Sequence, residues 1–286
     1  MKILVTGSSG FIGRRLVNNL ILDEYDVIVS DFNKWIWPSS NFIYPEDVYS
    51  HMNEIDIVVH LGATSETNSD DEYQVFKNNT EYTINLLSYL NDTTKFIYAS
   101  SAAVYGNGAD INIVGEHEDG DTIYAKSKLA VDQEVRKSWA NGNVVGLRLF
   151  NVCGFYGEEH KKQPSPTFRF RSQLEEYRTV KLFYGSNEIY RDFIYITDVI
   201  DIIKFLFTAN YKHPVINVGT GVATSFEDIA RLMTKSYPNG KIEYIDPPEN
   251  LTHGYQTYTR ADISTLRDIG YDKNIPSILE HIKRNL

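Results

Sequence analysis

Two runs of residues in this chain have the types and spacing to do chemistry. The first is Thr6–Gly13, TGSSGFIG, which sets Gly7, Gly10 and Gly13 at G-x-x-G-x-x-G spacing between an apolar run and an amphipathic one. Glycines let a backbone turn sharply and approach a pyrophosphate, and the helix start that follows offers free N–H groups to the anion. The spacing alone equally suits a tight strand–helix turn. Its position at the N-terminus, its flanking elements and an acid about 20 residues on favour a dinucleotide. That acid is Asp31, where a carboxylate can accept both ribose hydroxyls of an adenosine. Asp31 favours NAD, because it repels a 2′-phosphate, while Lys34 nearby offsets this, so NAD versus NADP stays open.

The second run is Tyr124-Ala-Lys-Ser-Lys128. Residues i and i+4 share a helical face, so the Lys128 ammonium can lower the phenol's pKa and hold a nicotinamide ribose. Tyr124 then serves as a proton shuttle near neutral pH. Lys126 points elsewhere, into solvent. A lone Y-x-x-x-K arises easily by chance, but here it follows YASSAAVYG (Tyr98–Gly106), which ends a strand. Ser101 falls just beyond that strand's C-terminal edge, where ligands bind in such sheets, and its hydroxyl can donate to an alkoxide or ketone.

The elements that must position these residues are legible as short, β-branched, nearly continuous apolar runs: Lys2–Thr6, Asp26–Ser30, Asp56–Leu61, Lys95–Ser100 and Val144–Phe150. Between them lie the helical stretches Phe11–Leu22, Asp71–Leu90 and Thr122–Trp139. The alternation predicts an α/β fold, a doubly wound parallel (Rossmann) sheet covered on both faces. After Asn151 a polar stretch, 157–166, leads into a helix and short strands (KLFYG, RDFIYI, VINVG, IEYI). We therefore expect a dinucleotide-binding domain over 1–151, with segments returning near 190–220, and a smaller α/β substrate lobe over 152–286. Asp192–Phe207 reads as a strand feeding a helix that rejoins the main sheet.

Composition narrows the function classes. A net charge of −10 over 286 residues argues against nucleic acid as a partner. The single cysteine, Cys153, excludes an internal disulfide, and no Cys/His cluster has metal-ligand spacing, so no metal is expected. No apolar run reaches the roughly 20 residues of a membrane span. A strand starting at Lys2 leaves no room for a signal peptide, and a cytoplasmic location is the expectation. Many of the 20 tyrosines should sit half-buried, ring in the core and hydroxyl in a polar cleft.

These runs also carry a resemblance. TGSSGFIG, HLGA (His60–Ala63), SSAAVYG (Ser100–Gly106) and YAKSK resemble the extended short-chain dehydrogenase/reductase superfamily, which acts on nucleotide sugars. FNVCG (Phe150–Gly154), RDFIYITDV (Arg191–Val199) and NVGTG (Asn217–Gly221) extend the likeness over essentially the whole chain. Dehydratases of the superfamily follow the serine with an acidic run. Here Ala102 and Ala103 stand there, which leaves epimerase or reductase chemistry. EEHKK (Glu158–Lys162), KLFYGS (Lys181–Ser186), TSFEDIA (Thr224–Ala230), IEYIDPPENL (Ile242–Leu251) and GYQTYTRADISTLRDIGY (Gly254–Tyr271) resemble the ADP-glycero-manno-heptose 6-epimerases, in order.

The resemblance implies a tightly held NAD(P), a nucleotide-diphosphate sugar substrate destined for lipopolysaccharide and a homo-oligomer. It also implies a transient ketone, with hydride returned to the opposite face of the same carbon. Two acid–base groups are then needed: Tyr124 matches the first, and Lys161 the second, with Lys162 the alternative in a loop one residue longer than the family's. Without the family context, both lysines read as an exposed loop pair. Phe11, Ile12 and Leu61–Ser65 (with Gly62 and Ala63) would lie along the dinucleotide, and Asn79 would order that loop. Asn151, Phe183–Ser186 (with Gly185), Arg191 and Tyr255 would hold the sugar nucleotide. Arg191 would clamp the diphosphate, although a structural pair with Asp192 or Asp198 is the alternative. Departures bear on the sugar and the cofactor: Cys153 replaces a tyrosine, PSPTF (Pro164–Phe168) a Met-Ala-Ser type segment, Val222 a basic residue, and WIWP (Trp35–Pro38) sits in a shortened stretch. The weaker alternatives are another NAD(P)-dependent nucleotide-sugar epimerase or 4-ketosugar reductase, and, remotely, a non-catalytic dinucleotide-binding regulator.

Overall fold

A computed structural model describes residues 1–32, 41–65, 70–107, 109–138, 142–159, 161, 164–247 and 256–286. Lys34 and Tyr255 of the expected site, with Lys162 and the WIWP run, lie outside the described residues.

In chain order the strands are β1 (Lys2–Thr6), β2 (Asp26–Ser30), β3 (Phe42–Ile43), β4 (Ile57–His60), β5 (Lys95–Ser101), β6 (Val144–Leu149), β7 (Asn151–Cys153), β8 (Thr179–Phe183), β9 (Tyr190–Tyr195), β10 (Val215–Val218), β11 (Ala223–Ser225) and β12 (Lys241–Ile245). The helices are α1 (Phe11–Leu22), α2 (Val48–His51), α3 (Glu72–Phe76), α4 (Tyr82–Ser88), α5 (Ile123–Ser138), α6 (Pro166–Tyr177), α7 (Ile196–Leu206), α8 (Phe226–Lys235), α9 (Ser264–Asp268) and α10 (Ile278–Asn285).

Seven strands form a parallel sheet in the order β10-β6-β5-β4-β1-β2-β3. The chain runs outward from β1 to β3, then crosses back to β4. The loops after β1 and β4 therefore part at the sheet's C-terminal edge, where such folds bind ligands. Alternate residues feed two cores. Ile3 and Val5 pack with Leu16, Val17 and Leu20 of α1 on one face, while Leu4 packs with Phe96, Val131 and Val135 on the other. Burial on both faces is why these strands read as unbroken apolar runs.

The helix expected over Asp71–Leu90 is one run interrupted by a π-helical turn, Lys77–Glu81, which carries Asn79. The Asp192–Phe207 reading divides. Helix α7 does join the main core, through Val199, Ile203 and Leu206. Its strand, β9, instead pairs with β7 and β11 in a three-stranded sheet, and β10 is the strand that extends the main one. Strands β8 and β12 form a separate pair over a third core containing Phe170, Leu174, Ile229 and Ile282. Among the described residues, no helix is long and apolar enough to cross a membrane.

Candidate active site

The glycine loop is packed too closely for side chains. Gly7 has φ +65°, and a Cβ there would lie 2.5 Å from the amide nitrogen of Gly62 in the loop after β4. At Gly13 it would lie 2.2 Å from the Gly7 carbonyl oxygen. Gly10 is the N-cap of α1 and brings no capping side chain, so the helix's first amides stay available to an anion. Asp31 is drawn back to this loop, its Oδ2 accepting the Ser9 N–H at 2.9 Å. The loop after β4 is held in turn by Asn79. Its Oδ1 accepts from Thr64 N (2.7 Å), and its Nδ2 donates to Thr64 O and Ser127 Oγ, both at 3.0 Å. The π turn thus fixes Thr64 within this loop, in which Ala63 and Ser65 are exposed and Leu61 and Gly62 half-buried. A cradle a Cβ would fill, an open helix terminus and a carboxylate at the end of β2 together fit a dinucleotide.

Beneath the loops, Thr6 Oγ1 meets His60 Nδ1 at 2.6 Å, and His60 Nε2 meets Thr83 Oγ1 at 3.0 Å. Burial drives His60 down to about 3, so the ring stays neutral and its role is to join β1, β4 and α4.

Tyr124 and Lys128 lie on the first turns of α5. Burial lowers Lys128 to about 8, against an opposing attraction from Asp132. Its Nζ donates to the carbonyl oxygen of Ala99 at 2.8 Å and stands 5.9 Å from the Tyr124 ring centroid. The phenol departs from expectation: burial raises Tyr124 above the usual tyrosine value, and a hydrogen bond with Ser101 opposes the rise. Desolvation of a phenolate dominates, and the Lys128 ammonium is hydrogen-bonded to the Ala99 carbonyl instead. Ser101 also accepts the Ala103 N–H at 3.1 Å, starting a short 3₁₀ turn over Ala102–Tyr105. Lys126 is exposed, as its helical position requires.

Sequence reasoning missed what stands behind Lys128. Asp132, one turn further along α5, accepts from Tyr98 OH (2.9 Å), Ser100 Oγ (3.0 Å) and Arg148 Nε (2.8 Å). Arg148 is 0% exposed and also reaches Glu118 at 2.6 Å, which Arg136 pairs from α5. The available signal was an acid at i+4 from Lys128, inside the buried stripe of an amphipathic helix.

Lys161 is exposed in its loop, as the plain reading of the sequence expects, but its ammonium is engaged. Its Nζ pairs with Glu158 at 3.0 Å and lies 4.2 Å from the Phe11 ring centroid, so the second expected acid–base group meets the start of α1. Asn151 is exposed at the head of β7. Arg191 is buried and donates to the carbonyl oxygens of Tyr190 (3.0 Å) and Gln256. Asp192 accepts from the amides of Thr220, Gly221 and Ala261 at 2.8, 2.8 and 3.0 Å, and Asp198 pairs with His281 at 2.8 Å. Gln256, a second residue missed, also donates to the Gly106 carbonyl at 2.5 Å, linking Arg191 to the turn after Ser101. Phe183–Ser186 is a turn at the end of β8, with Ser186 N on Phe183 O at 3.2 Å and Gly185 at φ +82°.

A seven-stranded Rossmann-type sheet with a glycine cradle, Tyr124, Lys128 and Ser101 at its C-terminal edge defines a dinucleotide-dependent enzyme of the short-chain type. Residues 3–219 match the model of the NAD dependent epimerase/dehydratase family, and the chain belongs to that family. It is 36% identical, over 99% of its length and 96% of the relative's, to the ADP-L-glycero-D-manno-heptose-6-epimerase of Brachyspira hyodysenteriae. The crystal structure of the Helicobacter pylori ADP-L-glycero-D-manno-heptose-6-epimerase superposes with a TM-score of 0.83 at 31% identity, covering 99% of this chain and 94% of that one. The UDP-N-acetylglucosamine 4-epimerase of Methanobrevibacter ruminantium M1 has the same fold, with a TM-score of 0.83 at 24% identity over 99% and 96% of the two chains.

Proposed function

We propose that this protein inverts C6 of an ADP-linked glycero-manno-heptose through a transient ketone. The observation that carries the reading is the placing of two candidate acid–base groups: Tyr124 beside Lys128 on the first turns of α5, and Lys161 on Phe11 at the start of α1. The likeness to two heptose 6-epimerases over nearly the whole chain supports the choice of sugar.

A dinucleotide held by the glycine loop and Asp31 would supply reversible hydride exchange at C6. The protein's part is to move protons and to orient. Tyr124 accepts the C6 hydroxyl proton from one epimer and Lys161 returns a proton for the other, since the ketone presents its two faces in turn. Ser101 donates to the carbonyl oxygen, and the Lys128 ammonium favours the phenolate and holds the ribose. Ala102 and Ala103 offer no acid for elimination, so the ketone is not diverted to dehydration. Arg191 forks onto the diphosphate. Asn151, Phe183–Ser186 and Tyr255 complete the substrate side, contributed mainly from 152–286. Asp31 would accept the ribose hydroxyls of NAD, and a cofactor regenerated in each turnover would have no need to leave.

The test is direct. NMR of ADP-glycero-manno-heptose incubated with the purified protein should report inversion at C6, and denaturation should release NAD identifiable by mass spectrometry. Failure to isomerise any nucleotide heptose would sink the assignment. One observation favours a second reading, an epimerase of the same class acting on another nucleotide sugar: Val222, where heptose epimerases commonly carry a base, is 47% exposed. Turnover of a hexose nucleotide and not the heptose would establish it.

A further inference from the structure

We propose that Glu158 is the positioning residue of the second acid–base group, a carboxylate fixed in the loop after β7 that holds Lys161 over the dinucleotide cradle. The inference deepens the function proposed above and rests on it.

Glu158 is 1% exposed, an unusual place for a carboxylate. Buried charges persist only when paired and hydrogen-bonded. Here the carboxylate accepts from Gly154 N at 3.2 Å, Ser165 N at 2.8 Å and Ser165 Oγ at 2.6 Å, before Lys161 Nζ is counted at 3.0 Å. Gly154 follows β7 and Ser165 is the N-cap of α6. Three neutral donors therefore tie the carboxylate to both ends of the loop, independently of the lysine. Lys161, with its side chain 35% exposed, is the adjustable member of the pair. A carboxylate fixed by its own hydrogen bonds can hold a functional side chain in a set position.

The other side of the hold is Phe11. Its ring takes the Lys161 ammonium at 4.2 Å and the Arg15 guanidinium at 4.5 Å. Aromatic faces attract cations, so the ring that opens α1 is also a seat for the lysine. Gly154 fits against the same ring, where a Cβ would come within 3.1 Å of Phe11 Cζ. Among the described residues, Arg15 also feels Glu158, but it donates to the backbone oxygens of Phe11 and Tyr156. The carboxylate's ion pair is thus with Lys161, and the contact joins the second acid–base group to the cofactor loop.

The first test needs neither cofactor nor substrate. Brief acetic anhydride labelling of the purified protein, read by fragmentation mass spectrometry so that Lys161 is resolved from Lys162, compares wild type with Glu158→Gln. Loss of a charge-assisted hydrogen bond is worth roughly tenfold. Lys161 labelling should rise by about that factor, with Lys126 unchanged as the internal reference. Equal Lys161 labelling in both proteins overturns the proposal. If Glu158→Gln does not accumulate as folded protein, Glu158→Asp withdraws the same charge by one methylene. Its Lys161 labelling should also rise, and an unchanged rate overturns the proposal equally.

The second readout is single-turnover formation of reduced nicotinamide from each C6 epimer. Glu158→Gln should slow it roughly tenfold from one epimer and leave the other near wild type, because only one is served by Lys161. Equal slowing from both marks a merely structural loop and overturns the proposal. In a Lys161→Met background, Glu158→Gln should add no further slowing, and an added tenfold loss would overturn it. Wild-type protein that interconverts no epimers defeats the functional reading, whereas the labelling comparison judges the Glu158–Lys161 hold by itself.

Discussion

The Lys128 ammonium donates a 2.8 Å hydrogen bond to the carbonyl oxygen of Ala99, and this contact registers the Tyr124-bearing face of α5 against the end of β5. On either side of Ala99, Tyr98 and Ser100 reach Asp132, which is one helical turn beyond Lys128. The helix carrying Tyr124 and the strand carrying Ser101 are thereby fastened at three points, two of them to a carboxylate held by Arg148. The position of Tyr124 and Ser101 is thus set by what is buried behind them.

Lys128 should make activity and stability respond to alkali in opposite directions. Its folded pKa is about 8, against an ordinary value of 10.5. Between those values the unfolded chain binds the extra proton, so this residue's contribution makes unfolding free energy rise with pH across the window. Cofactor affinity and kcat/KM should instead fall as pH passes about 8, because the ammonium is lost. Urea unfolding and calorimetric NAD titration across this range would show both slopes in wild type, and Lys128→Met should flatten them.

Replacing Tyr124 by Phe removes one hydroxyl and keeps the ring. Circular dichroism and retained NAD should match wild type, while kcat falls by about 10²–10⁴, the usual worth of a positioned acid–base group. Undiminished turnover would remove Tyr124 from the mechanism.

The Gly13→Ala change brings a methyl to 2.2 Å from the Gly7 carbonyl oxygen, a backbone atom that cannot step aside alone. Overpacking of this kind costs about 1–3 kcal/mol. If the displaced atoms cradle the anion as proposed, NAD affinity by calorimetry should drop at least roughly tenfold. Substitution of the exposed Lys126 should leave the same titration unchanged.

Arg148→Met should cost about 3–5 kcal/mol in urea unfolding, since it strands the Asp132 carboxylate in a dry interior. Asp132→Asn combined with Arg148→Met should cost less than the sum of the two single changes. Strict additivity would mean that the pair is not coupled.

Asp31→Ser should weaken NAD by about tenfold and narrow its preference over NADP, measured as the ratio of the two dissociation constants. An unchanged ratio would move 2′ selection away from Asp31.

Much of this molecule was legible before it folded. Strands buried on both faces must be apolar at consecutive positions, so β1, β2, β4, β5 and β6 could be read within a residue or two of their bounds. Two-residue β3 and three-residue β7 and β11 are too short to impose a pattern and went unread. The glycine spacing, the Tyr124–Lys128 interval and Asp31 are local or nearly local signals, because a turn and a helical face are defined over a few residues.

Contacts between distant segments leave no such trace. The order β10-β6 at the sheet edge depends on residues about seventy apart pairing, as Val215 does with Gly146. The environment of Tyr124 is likewise tertiary: its i+4 lysine promised a lowered pKa, but desolvation by packed neighbours raises it. So it is with Lys161, whose place over Phe11 brings together residues 150 positions apart in the sequence. Sequence by itself determined the glycine spacing of the cradle and the Tyr124–Lys128 interval, because those follow from residue type and short spacing, whereas Lys161 stood out only through the family resemblance. Only the tertiary structure decided which carboxylate supports each lysine, Asp132 near Lys128 and Glu158 against Lys161. Such support depends on burial and distance, which no interval along the chain records.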